Sequence, residues 1–172
     1  FDESLCQQGK NFANKIWNAF RLVEGWEVNQ KSEMSLINKA AIQWYKNAFN
    51  QALKRIDDHY SKFRISDALM TLYKLIWDDF CSWFLEMVKP NYGDLIDKST
   101  VIGVKALFED NLRLLHPFMP FLTEELWHYI DNRDTMEALV VSDWPKVMPI
   151  DQNCIEDFEL IKQIVAGIRN FR

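Results

Sequence analysis

"LLHPFMPFLTEELW", residues 114–127, is a strongly apolar run broken by two prolines, and how those prolines are read decides the fold. Pro117 ends any helix that arrives through Leu114 and Leu115, because the residue before a proline avoids the helical region. Pro120 suits the first position of a new helix, where its missing N–H costs nothing. Glu124 and Glu125 then fall near the positive end of that helix. The stretch predicts a buried apolar corner between two core helices, with Leu114 and Leu115 on one side and Phe121, Leu122, Leu126 and Trp127 on the other.

Helical periodicity extends from this corner in both directions. The helix leading into it is expected from about Ser99, through Val104, Leu107, Phe108, Leu112 and Leu115. Before that, Ser66 is the expected N-cap of a helix carrying Leu69, Leu72, Tyr73, Ile76, Phe80, Trp83, Phe84 and Met87, stopped by Lys89-Pro90 and Gly93. A long helix is expected from a cap at Ser32 or Ser35 to about Tyr60, through Leu36, Ala40, Trp44, Ala48, Ala52 and Ile56. The first spans about Leu5 to Glu24, with Phe12, Ile16, Ala19, Phe20 and Val23 on one face and Gly25 at its end. Beyond the corner, residues 131–153 are less regular, with Leu139-Val140-Val141 as a short strand and Trp144 to Pro149 as a linker. A last helix runs from Asp151 to Arg172, with Phe158, Ile161, Val165 and Ile168 on one face.

The composition agrees with an all-α bundle. The 172 residues are 48% hydrophobic, enough for one real core, and five glycines and five prolines are too few for a many-turned β fold. No window approaches the roughly 18 uninterrupted apolar residues of a membrane span, so a cytoplasmic protein without a membrane partner is expected. Cys6, Cys81 and Cys154 lie too far apart for a CxxC pair and are expected as reduced packing thiols. Glu125 and His128 have the Glu-x-x-His spacing of di-metal bundles, but no second copy exists, so no metal is expected. No serine or cysteine adjoins any of the three histidines and there is no P-loop, so no catalytic residue is assigned. Trp17, Trp44, Trp77 and Trp83 occur at helical spacing among Leu and Phe and read as core.

Charge and amides single out the N-terminal helix. Residues 1–64 carry ten Lys and Arg against seven Asp and Glu, whereas residues 65–172 carry ten against eighteen, so an anionic partner should meet the N-terminal third. Opposite the apolar face of the first helix stand Lys10, Asn11, Asn14, Lys15, Asn18 and Arg21. Asparagine is a mediocre helix former, so three in eight residues require a reason beyond propensity.

Taken in order, "GKNFANKIWNAFRLV" (9–23), "DALMTLYKLIWDDFCSWFLEMVKP" (67–90), the proline corner and "IVAGIRNFR" (164–172) resemble the anticodon-binding domain of valyl-tRNA synthetase, a class I aminoacyl-tRNA synthetase. The resemblance covers nearly the whole chain and implies a helical bundle of that type, with a short irregular segment before the last helix. It divides the chain into an anticodon-binding bundle, 1–150, and a helix, 151–172, leading toward a C-terminal tail. It implies a tRNA(Val) anticodon stem-loop as partner, beside the catalytic domain and tail of the same monomeric polypeptide. The HIGH and KMSKS signatures of the catalytic domain do not occur in these residues. No cofactor is therefore expected here; ATP belongs to the parent enzyme, a valine-tRNA ligase. On this reading Lys10, Asn11, Asn14, Lys15, Asn18 and Arg21, with Leu22 beside them, border the tRNA surface. The equivalent isoleucyl or leucyl domain and a helical protein-interaction module are the alternatives.

Overall fold

The computed structural model describes residues 3–134 and 136–170; the predicted helical residues Phe171 and Arg172 lie outside them. Helix α1 (Glu3–Glu24) leads through strand β1 (Val28–Asn29) to α2 (Leu36–Ser61). A second long helical stretch has three parts: α3 (Ile65–Lys74), a π-helical segment (Leu75–Phe84) and α4 (Leu85–Val88). After strand β2 (Ile96–Asp97) come α5 (Lys98–Leu115) and α6 (Pro120–Ile130). A 3₁₀ turn (Leu139–Val141) precedes the final helix α7 (Gln152–Asn170). Among the described residues no helix is long and apolar enough to cross a membrane.

The proline corner forms as its residues dictate. Helix α5 ends at Leu115, Pro120 takes the first position of α6, and Leu114, Leu115, Leu126 and Trp127 are buried. Two details differ from expectation. Phe121 points outward at 92% exposure, and Glu124 and Glu125 lie beyond the first turn of α6, away from its positive end. Glu124 instead accepts a hydrogen bond from the Leu139 N–H at 2.9 Å and stands 3.4 Å from His128 Nε2. That bond holds residues 139–141 as a turn rather than the expected strand.

The π-helical segment was not anticipated by the α-periodic reading. Its buried residues recur at intervals of four and five: Leu75, Phe80 and Leu85 in one series, Ile76, Phe80, Phe84 and Val88 in another. On a 3.6-residue helix a four-residue repeat drifts by about 40° per step, and the wider i→i+5 turn absorbs that drift. Ser82 Oγ also donates to the Trp77 carbonyl five residues back, at 2.8 Å. Of the expected residues Leu72, Ile76, Phe80 and Phe84 are buried, joined by Leu75, Leu85 and Val88, while Leu69 is 37% exposed and Tyr73, Trp83 and Met87 are part-buried. Ser66 does not cap α3, which begins one residue earlier after Arg64.

Helix α2 is capped at Ser35, whose Oγ accepts from Asn38 N at 3.0 Å. Its buried face starts at Ala41 and Ile42, and the anticipated Leu36 and Ala40 are exposed. Two buried asparagines use both ends of their amides here. Asn47 and Asn50 donate to the backbone of their own helix and accept from Asp151 N and Met148 N, each at 2.7 Å. With Trp144 Nε1 on Asp57 at 3.1 Å, these bonds lay the extended segment antiparallel along α2.

Helix α7 then docks through Phe158, stacked on Trp44 at 3.8 Å, and Lys162, bonded to Asp79 at 2.6 Å. Of the other residues expected on its apolar face, Val165 is part-buried and Ile161 and Ile168 are exposed. Burial pushes the Asp79 carboxyl above the usual range, outweighing the attraction of Lys162. In the folded chain Asp79 therefore holds its proton more tightly than in the unfolded chain. Its contribution is most favourable below the ordinary carboxylate value and declines as pH rises through the raised native one. Asp79→Asn should flatten the pH dependence of the melting temperature over that window, which a calorimetric pH series on both proteins would measure.

The two strands pair in parallel, Val28 with Ile96 and Asn29 with Asp97, and Ile96 N donates to Glu27 O at 2.9 Å. This ribbon gathers the end of α1, the start of α2, the turn after α4 and the start of α5 at one end of the bundle. Beneath it Asp97 caps α5 through Thr100 N and Thr100 Oγ1, both at 2.7 Å, and Asn38 reaches Thr100 from α2 at 3.1 Å. Helix α2, about 39 Å long at 1.5 Å per residue, separates this end from the α2–α3 turn.

Candidate nucleic-acid interface

Helix α1 buries one narrow face and presents the other. Phe12, Ile16, Ala19, Phe20 and Val23 are buried, as their spacing predicts. At about 100° per residue, Asn14 stands opposite the centre of this face, flanked by Lys10, Asn18, Arg21, Asn11 and Leu22. These six side chains are all exposed. The seventh, Lys15, sits at the edge of the stripe and is part-buried.

The stripe is chemically unsatisfied within the chain. Asn11 accepts from Gln7 Nε2 at 2.8 Å. Among the described residues, Lys10 and Arg21 have no ion-pair partner, and Asn14 and Asn18 make no side-chain hydrogen bond. Two cations and several amide donors and acceptors therefore face solvent on one rigid helix. Cations attract phosphates, and amide and guanidinium groups hydrogen-bond the edges of unpaired bases.

Lys15 has a different position. Its Nζ donates to Ser82 Oγ at 2.8 Å and lies 4.1 Å from the Trp77 ring centroid. Ser82 passes the contact to the Trp77 carbonyl, so one ammonium links α1 to the wide turn of the π-helical segment. Tyr73 stacks on Trp77 with an interplanar angle of 11°, and Phe12 packs against both. On the other flank Trp17 meets Tyr129 edge-on at 6.4 Å. Of the four tryptophans read as core, only Trp44 is buried; Trp17, Trp77 and Trp83 are part-buried against the core. Ser82 carries no sequence signal of its own for this role, because its contact with Lys15 spans 67 residues.

Burial pushes the Cys81 thiol up to about 12, which leaves it protonated and inert. Among the described residues no group of His, Cys, Asp and Glu is arranged to hold a metal ion. Glu125 accepts a hydrogen bond from the Tyr129 hydroxyl, which raises the pKa of that phenol.

The fold is a helical bundle with a polar stripe along its first helix, and the chain belongs to the family of anticodon-binding domains of tRNA ligases, whose model matches residues 43–172. Similarity to curated proteins extends over α1 as well. The chain is 54% identical over its full length to the valine–tRNA ligase of Christiangramia forsetii and 48% identical to that of Parabacteroides distasonis. It is 36% identical, over 94% of its length, to the valine–tRNA ligase of Bacillus subtilis. The chain spans about a fifth of the length of these relatives, 20%, 20% and 19% respectively.

Proposed function

We propose that this chain is the anticodon-binding module of a valine-tRNA ligase. In this role it holds the tRNA(Val) anticodon stem-loop on the exposed face of α1, so that the acceptor end reaches a catalytic domain elsewhere in the polypeptide. The observation that carries the reading is the partnerless stripe of Lys10, Asn14, Asn18 and Arg21, within a chain similar along its whole length to valine–tRNA ligases. Asn11 and Leu22 extend the surface, and Lys15 borders it from its bond with Ser82. Residues 1–150 form the bundle that carries this face, and 151–172 lead toward a C-terminal tail. The parent enzyme acts in the cytoplasm as a monomer and uses ATP in its catalytic domain.

Fluorescence anisotropy at low salt tests the assignment. The chain should bind a valine anticodon stem-loop in preference to one whose last two anticodon letters are changed. Equal binding of the two would leave a sequence-blind RNA surface. No binding to either would sink the reading.

A further inference from the structure

Lys89, Pro90, Asn91, Tyr92, Gly93, Asp94 and Leu95 form a turn between α4 and β2, and its apex is the most exposed aromatic ring in the described chain. Tyr92 is 107% exposed, touching nothing around it. The turn itself is well defined. Asn91 Nδ2 donates to Asp94 Oδ2 at 3.0 Å, Asp94 N donates to Asn91 O at 3.0 Å, and Gly93 takes the left-handed φ of +86° that closes it. Ile96 then ties its far side to Glu27. Holding a large apolar ring in water on an anchored turn buries nothing within the chain, so its packing contributes nothing to this fold.

The position of the turn gives the ring a use. Tyr92 is four residues from Ile96, which keeps it within about 14 Å of the bond to Glu27 and hence beside the C-terminal end of α1. Arg21 and Leu22 occupy the last turns of that helix. Phe63 and Phe121 are nearly as exposed, at 89% and 92%, but they stand at the other ends of α2 and α5. Tyr129 is also exposed near α1 but packs on Trp17 and Phe20, so Tyr92 is the described ring without a ring contact at the end of the bundle toward which the α1 stripe runs. The exposed stripe itself consists of amides, cations and one leucine, with no aromatic group.

We infer that Tyr92 stacks on an unpaired base of the RNA loop that α1 holds; this rests on the RNA-binding reading above. An aromatic face is accepted by any base, because every base has a π-face, and the phenol needs no other partner. The surrounding charges are mixed, with Glu27, Glu33 and Asp94 near Lys31 and Lys89, and Lys89 is already paired with Glu86 at 2.6 Å. Stacking rather than phosphate attraction is the contribution this turn makes.

The test uses the 172-residue chain and a set of valine anticodon stem-loops, each with 2-aminopurine at one loop position. Wild type should quench the probe at one position on binding. Tyr92→Ala should lose that quench and bind about 5- to 150-fold more weakly, the loss expected for one stacked base, with the salt slope and melting temperature unchanged. Tyr92→Phe should behave as wild type. Wild-type affinity and quenching in Tyr92→Ala at every position would overturn the inference while leaving the RNA-binding reading intact. Equal weakening by Tyr92→Phe would also overturn it, since the ring would then not be the binding group. Failure of wild type to bind any stem-loop would remove the RNA reading, and this inference with it.

Discussion

Phe80→Ala is expected to destabilise the chain by about 3–5 kcal/mol, the range for removing a fully buried phenylalanine and leaving a cavity behind. Phe80 is 1% exposed and stands where three elements meet. Its ring lies 5.2 Å from Tyr45 of α2, 5.6 Å from Phe84 of its own segment and 5.1 Å, edge-on, from Phe108 of α5. Tyr45 cannot move in to fill the space, because its hydroxyl donates to Asn111 Oδ1 at 2.8 Å in a buried pair. Urea unfolding should show a lower midpoint at an unchanged slope, since the loss is one of packing and not of two-state behaviour. A loss below about 1 kcal/mol would mean that the π-helical segment collapses onto the cavity, and that its wide turns are softer than the geometry implies.

Neutralising both free cations of the stripe, Lys10→Gln with Arg21→Gln, should weaken stem-loop binding about 25-fold at 0.1 M salt. Each phosphate contact to single-stranded RNA contributes about 0.7 to the slope of log affinity against log salt, so two lost contacts reduce that slope by about 1.4. The two effects share one cause and should appear together in anisotropy titrations at several salt concentrations. Both side chains are exposed and unpaired, so the melting temperature should hardly change. An unchanged slope would remove α1 from the phosphate-binding surface, whatever happened to the affinity.

The architecture was legible where one local rule acts alone. The amphipathic face of α1 follows from periodicity, and the corner at Pro117 and Pro120 from the steric limits of proline. Expectation failed where a tertiary contact competes with the local rule. Phe121 continues the apolar pattern of the corner, yet it sits in the first turn of α6, on the side away from α5. The π-helical turns could be read only from the mixture of four- and five-residue intervals at Leu75, Phe80, Leu85 and Phe84, which resembles a slightly irregular α pattern. The β1–β2 ribbon has two residues per strand and therefore no periodicity to read. Asn47 and Asn50 look like polar surface and are instead the buried amides that hold the extended segment.

The candidate interface divides in the same way. Lys10, Asn11, Asn14, Asn18, Arg21 and Leu22 share one exposed side because helical spacing requires it. That Lys15 is held by Ser82 depends on a residue far along the chain and on a turn type that local pattern did not suggest. Tyr92 lies in a turn signalled by Pro90 and Gly93, but its exposure is a property of the assembled end and not of those residues.

The placement of α1 has a consequence for synthesis. Among the described residues, α1 precedes the elements it packs against: the π-helical segment, α5 and, last, Tyr129 of α6. At ordinary translation rates of about 5–20 residues per second, Phe12, Ile16, Phe20 and Val23 wait several seconds for their partners. During that interval the polar stripe can already be presented while the apolar side has no cover. The polar stripe is thus presented before the apolar face behind it is covered, and in that interval the buried side of α1 is open to chaperones on the ribosome.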